Sequence, residues 1–218
     1  MSEIFDAIKR GDAGAVKSIV EHDRSQASSR ENNVSAIMTA IYFGQAAIAR
    51  LLADHGASVD FYEACALGDL DRVKKLADRS LVNSRSPDGY PPVGLAIFFR
   101  HPEVAKFLIE RGADVSAVAD NAQRVAPVHA AAAVCDRETM KLLLERGADP
   151  NAKQQMDATP LHGAASRGDV EMTTLLIAHG ADPNAKMTDG TSLSDIAISH
   201  GHPEFAQWLS ATYPGKKS

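Results

Sequence analysis

The chain has 218 residues, 23 basic against 28 acidic, and its net charge of −5 excludes the strongly basic balance of a nucleic-acid-binding chain. Hydrophobic residues make up 44% and charged residues 23%, which excludes wholesale disorder and is long enough for one sizeable core or one array of small repeats. Alanine is the outlier, with 36 residues against 12 aromatics, so helices packed closely through small side chains are favoured.

Along the chain, the sequence divides into helix pairs. The first turns at Gly11, carries Val16, Ile19 and Val20 at helical spacing and ends at Asp23; its polar Glu3, Lys9, Arg10, Lys17 and Glu21 suit an N-terminal cap of about residues 1–30. The second turns at Gly44, carries Ile48, Leu51 and Leu52 and ends at Gly56, and the third runs from Gly68 to Ser80. The fourth turns at Arg100, carries Val104, Phe107, Leu108 and Ile109 and ends at Gly112. The fifth turns at Cys135, carries Met140, Leu142, Leu143 and Leu144 and ends at Gly147, and the sixth turns at Gly168, carries Leu175, Leu176 and Ile177 and ends at Gly180. The seventh turns at Gly201 and ends at Tyr213, and Pro214-Gly215-Lys216-Lys217-Ser218 closes a C-terminal cap of about residues 188–218. Each predicted end lies twelve residues after its turn, so seven units keep one spacing. A helix closed by a left-handed residue needs glycine most, and Arg100 and Cys135 depart from that demand.

Two segments repeat at a step of 33. Gly147-Ala148-Asp149-Pro150-Asn151-Ala152-Lys153 recurs as Gly180-Ala181-Asp182-Pro183-Asn184-Ala185-Lys186, and Thr159-Pro160-Leu161-His162-Gly163-Ala164 is preceded by Ala126-Pro127-Val128-His129-Ala130-Ala131. Thr159 reads as an N-cap followed by proline at the first helical position, and Ser35, Pro91, Ala126 and Ser192 occupy the same place. With these motifs in register the chain resembles the ankyrin-repeat family, in particular its small stand-alone bacterial members. The resemblance covers essentially the whole chain. It implies one all-α solenoid domain, residues 1–218, of about seven helix-turn-helix units joined by β-hairpin-like fingers and stabilised through nearest-neighbour interfaces. It also implies that His129 and His162 lock the corner between finger and helix, and that the end of each first helix faces a concave groove where partners bind.

The irregularities point to function. Counting from each second-helix end to the next histidine-equivalent position gives 15, 6, 14, 17, 15 and 15 residues. The finger between units two and three is therefore missing: Gly56-Ala57-Ser58-Val59-Asp60 passes almost directly into a helix over Phe61 to Leu67, leaving a notch. The fourth connection is longest, and its surplus near Asn121-Ala122-Gln123-Arg124-Val125 predicts a protruding fingertip with one basic side chain. Aromatics cluster just before two inter-helix turns, Tyr42 and Phe43 before Gly44 and Phe98 and Phe99 before Arg100, where the intervening unit has Ala66 and Leu67. Tyr62 and Tyr90 come near them in the sequence pattern, so the notch is expected to be floored by aromatic surface. Such residues are partner-binding anchors or, especially for Phe43 and Phe98, packing between helices. Lys153 and Lys186 occupy equivalent finger positions, facing either an acidic partner or solvent alone.

Chemistry has little foothold. Neither phosphate-cradling glycine motif occurs, and His-Glu-x-x-His is absent. His200 and His202 lack a third ligand nearby and read as a solvated turn before Pro203. Cys135 has no base to poise it, His129 being committed to its corner, and Cys65 sits among alanines as core; both thiols are expected to be reduced. Asp69 and Asp71 lie at a helix start, where the macrodipole explains them. The N-terminus lacks a basic segment leading into an apolar one, and no apolar run reaches membrane-spanning length. The expectation is a cytoplasmic, monomeric, non-catalytic protein-interaction module without cofactor or metal, binding a protein rather than nucleic acid or membrane. Its candidate contacts are Tyr42, Phe43, Tyr90, Phe98, Phe99, Arg124, Lys153 and Lys186. Two alternatives stand beside it: a small enzyme or ligand-binding protein with its site in the notch, and a regulatory or neutralising subunit of a bacterial complex.

Overall fold

Helix starts are fixed by short polar side chains and prolines. In the computed structural model, which describes residues 2–214, Asp12, Asp60, Asp69, Asp136 and Asp169 each accept a backbone N–H three residues ahead, at 2.9 to 3.0 Å. Pro92, Pro102, Pro127, Pro160 and Pro203 stand at first helical positions. The helices so begun are α1 (Glu3–Arg10), α2 (Ala13–His22), α3 (Ala36–Tyr42), α4 (Ala46–Asp54), α5 (Phe61–Leu67), α6 (Leu70–Leu76), α7 (Pro92–Phe98), α8 (Pro102–Glu110), α9 (Pro127–Ala133), α10 (Arg137–Glu145), α11 (Pro160–Ser166), α12 (Val170–Ala178), α13 (Leu193–Ser199) and α14 (Pro203–Thr212). They form seven successive pairs among the described residues.

The turn inside every pair sits at positive φ: Gly11, Gly44, Gly68, Arg100, Cys135, Gly168 and Gly201 all fall between 57° and 84°. The spacing thus marks the turns even where glycine is replaced. At Gly68 the demand is double, because a Cβ there would also stand 2.4 Å from Nδ1 of His101, whose ring crosses from the next unit to donate from Nε2 to the Ala66 carbonyl at 3.0 Å. The second-helix ends follow the expected spacing except in unit three, where α6 stops at Leu76 and Ser80 lies beyond it, ahead of a short 3-10 turn.

Odd-numbered helices pack side by side in one row, α1 on α3, α3 on α5 and onward to α13, while the second helices stack behind them. Small side chains bring the first row together: Ala36, Ala40, Ala64, Ala96, Ala131, Ala164, Ala165 and Ala197 are fully buried. Val16, Ile48, Leu52, Val73, Val104, Leu108, Met140, Leu143, Met172 and Leu176 fill the space between rows as one continuous core. Arg137 ties α10 to α12 through ion pairs of 2.8 Å to both Asp169 and Glu171.

The fingers are hairpin-like turns, closed by backbone bonds such as Ser86 N–H to Tyr90 and Met187 N–H to Thr191, with little regular strand. A two-stranded ladder forms at β1 (Arg30–Glu31) and β2 (Val34–Ser35), turned by Asn32 and Asn33 at positive φ. The later fingers are turns and 3-10 pieces, with an isolated bridge between Lys186 and Ser192. Backbone bonds chain their tips: Asp120 N–H to Gly89 at 2.8 Å, Gln155 N–H to Gln123 at 3.0 Å, and Thr188 N–H to Met156 at 3.0 Å. Among the described residues no helix is long and apolar enough to cross a membrane. The tail Gly215-Lys216-Lys217-Ser218 of the expected C-terminal cap lies outside the described residues, as does Met1.

Candidate functional site

The repeated corners come first, because they use the histidines. His129 accepts the Ala126 N–H on Nδ1 at 3.2 Å and donates from Nε2 to the Ala152 carbonyl of the following finger at 2.9 Å. His162 accepts the Thr159 N–H on Nδ1 at 3.1 Å. Burial holds both imidazoles below the ordinary histidine range, so they stay neutral and fit the corner role. Cys135 is exposed at its turn, and the ring of His129 is turned to backbone groups rather than to a thiol. Cys65 is buried and its thiol is pushed up to about 12. His200 bonds the Ile196 carbonyl at 2.9 Å, and His202 packs over Gly168, so the two rings serve separate turns. Among the described residues no cluster of His, Cys, Asp and Glu gathers to hold a metal ion.

The notch left by the missing finger is filled. α5 begins at Phe61 and ends at Leu67, and the residue that closes its corner is Glu63, five positions before Gly68 where the other units have six. Glu63 is 2% exposed and accepts the Asp60 N–H at 2.7 Å and the Ser35 hydroxyl of the preceding unit. Tyr62 spans to Ser84 at 2.9 Å. Between Arg30, Val34, Met38, Tyr62 and Asp88 only about 10 Å³ remains, space for a water molecule but not for a ligand.

The aromatic residues gather one unit further on. Tyr42, Tyr90, Phe98 and Phe99, with Pro91, Gly94, Leu95, Val125 and Ala130, line an apolar groove of about 280 Å³ at the ends of the first helices. Tyr42 reaches over unit three, whose Ala66 and Leu67 present no aromatic ring, and its ring lies 5.8 Å from that of Phe99. Phe99 in turn meets Phe98 edge-on at 5.2 Å. The Tyr42 hydroxyl donates to Asp88, whose other oxygen accepts the Ser86 hydroxyl at 2.6 Å. Burial, with the Asp88 bond adding to it, pushes the Tyr42 phenol well above the ordinary tyrosine range and keeps it a donor.

Each sequence candidate now has a place. Phe98 is 52% exposed and Phe43 51%, so these two, open to core packing on sequence grounds, face solvent, whereas Phe99 and Tyr90 are half-buried against the core. Phe43 lies outside the groove. Arg124, left-handed at φ 52°, and Lys153 border a separate groove of about 410 Å³ with Val115, Val118 and Val128, and Lys153 is paired with Asp157 at 3.3 Å. Lys186 stands apart again, exposed beside a hollow of about 190 Å³ near Tyr213. Asp88, which fixes Tyr42, escaped sequence reading although Pro87-Asp88-Gly89 is a turn signature; nothing local says what its carboxylate meets 46 residues away.

A family model described as "Ankyrin repeats (3 copies)" matches residues 61–154 and again 128–217, spanning the helix pairs from α5 to α14. The chain belongs to the ankyrin-repeat family. A curated relative, the "Probable 26S proteasome regulatory subunit p28" of Saccharomyces cerevisiae, is 37% identical over 86 residues, which cover 38% of this chain and 37% of the relative's own length. Ankyrin repeats and a regulatory-subunit relative together support a protein-interaction module.

Proposed function

We propose that the whole chain acts as one non-catalytic ankyrin array that binds a protein partner through the ends of its first helices, the concave side in this family. The observation that carries the reading is the groove of Tyr42, Tyr90, Phe98 and Phe99, an aromatic surface from two units that Val125 and Ala130 of a third complete. Large aromatic anchors on a rigid frame are where binding energy concentrates, since little ordering cost is incurred on association. Phe98 is the cleanest probe because it is half exposed and its loss spares the core. Affinity capture from native lysate with wild type and Phe98→Ala, matched by thermal melt, should show a stoichiometric partner lost only with the variant; equal capture by both would move the site to the fingertips or the second-helix side.

A second reading, a regulatory subunit seated on a larger assembly, draws on the yeast relative's name. It is favoured if the captured partner runs on native gels as a multi-subunit particle.

A further inference from the structure

The fourth finger breaks a pattern that the next two share. Lys153 and Lys186 each stand six residues after the glycine that ends a helix pair, Gly147 and Gly180, whereas Val118 holds that place after Gly112. Asp157 lies two residues before the N-cap Thr159, whereas Arg124 lies two before Ala126. In the fifth finger these positions satisfy each other, since Lys153 meets Asp157 at 3.3 Å. The fourth finger has an apolar side chain in place of the lysine and a cation in place of the acid, so it has no equivalent pair.

Val118 and Arg124 both line the groove of about 410 Å³, with Val115, Val128 and, from the fifth finger, Asp149 and Lys153. Val115 and Val128 are buried and Val118 partly so, which gives the groove an apolar floor. Of its two cations Lys153 is held by Asp157, while Arg124 is exposed and enters no ion pair among the described residues. Asp149, the one carboxylate in the lining, accepts the Asn151 N–H at 2.8 Å and forms no ion pair with Arg124. The groove therefore offers one guanidinium beside an apolar floor.

We propose that this groove docks an acidic–aliphatic segment of a protein partner. A branched aliphatic side chain sits against Val115, Val118 and Val128, and a neighbouring Asp or Glu accepts from the Arg124 guanidinium through its paired N–H donors. A single cation over valines suits a peptide carboxylate rather than a nucleic-acid backbone, which the net charge of −5 repels. The surface is separate from the aromatic groove, for no residue lines both.

The test is selection of a random twelve-residue peptide phage library, fused through its C-terminus, on the full-length chain, followed by titration of enriched peptides made as C-terminal amides. Enriched sequences should place Asp or Glu next to Val, Ile or Leu. Two variants copy what the chain already carries at the equivalent positions. Arg124→Asp reproduces Asp157, whose backbone is left-handed likewise at φ 59° against 52°, and Val118→Lys reproduces Lys153 and Lys186. Their melting temperatures should match wild type, so weaker binding would not reflect unfolding. Each should weaken the peptide about tenfold, Arg124→Asp also abolishing its salt dependence, and Arg124→Gln should weaken it about threefold. Phe98→Ala should leave its affinity unchanged, which separates this site from the aromatic groove. Failure to enrich any peptide sensitive to Arg124→Asp overturns the proposal, as do enriched peptides without acidic residues. So does a loss of affinity with Val118→Lys but with neither Arg124 variant, which would leave an apolar site that reads no carboxylate. A dimer in sedimentation velocity that Arg124→Asp dissociates would give the groove to a second copy and overturn it as well.

Discussion

Glu63 is an acid where water hardly reaches, bonded to Ser35 and to the Asp60 amide. Burial raises its pKa above the ordinary glutamate value of 4.5, outweighing those hydrogen bonds and Arg30, with Asp60 adding a smaller push in the same direction. In the window between the unfolded and the raised folded value the native state binds more protons than the unfolded chain, so stability falls as pH climbs through the folded pKa. Glu63→Gln removes this dependence. Melting temperature measured from pH 7 down to 5 should therefore show wild type gaining on the glutamine variant; a gap that stays constant would refute the assignment. The buried histidines act in the opposite sense, because their folded values are lowered: unfolded imidazole protonates first below about 6.5, and both proteins lose stability alike there.

At the scale of the element, the helix-pair turn shows what a sequence can and cannot announce. Its position was legible even at Arg100 and Cys135, because positive φ is imposed by the geometry of the pair and the spacing on either side is rigid. Cys135→Gly should raise stability by about 0.5–1 kcal/mol by relieving the left-handed strain, whereas Gly68→Ala should lower it by more than 1 kcal/mol, meeting both the positive φ and the ring of His101. Denaturant titration of the two variants checks both signs. The fingers were less legible: their lengths could be counted, but although Asp88-Gly89 and Asp189-Gly190 also sit at tight turns, only the first, with Asn32-Asn33 at its tip, extends into a ladder. The candidate site was legible as aromatic composition and not as arrangement. Tyr42, Phe98 and Phe99 could be named, yet the expected notch is closed by Tyr62, Glu63 and Asp88, and the groove opens beside Tyr90 and Leu95 instead. Which aromatic is exposed depends on contacts between units, and no spacing within one unit encodes that.

At the scale of the molecule, stacked units ordinarily feel only those on either side, and stability is a sum over adjoining faces. Tyr42 breaks that rule, since it leaves unit two, passes unit three and is fastened to Asp88 and Phe99 of unit four. Unit three also has a short second helix, α6, and no finger leading into it. The strut should make units two to four open together. In native-state hydrogen exchange, the amides of α3, α5 and α7 should share one opening free energy, and Tyr42→Phe should drop α5 below its flanks; α5 already exchanging independently in wild type would contradict this. It follows that the groove's walls belong to separate folding segments held in one piece. Whatever settles in the groove against Tyr42 and Phe99 grips units on both sides of unit three, and so acts as a splint, its affinity appearing as added rigidity in a unit it need not touch.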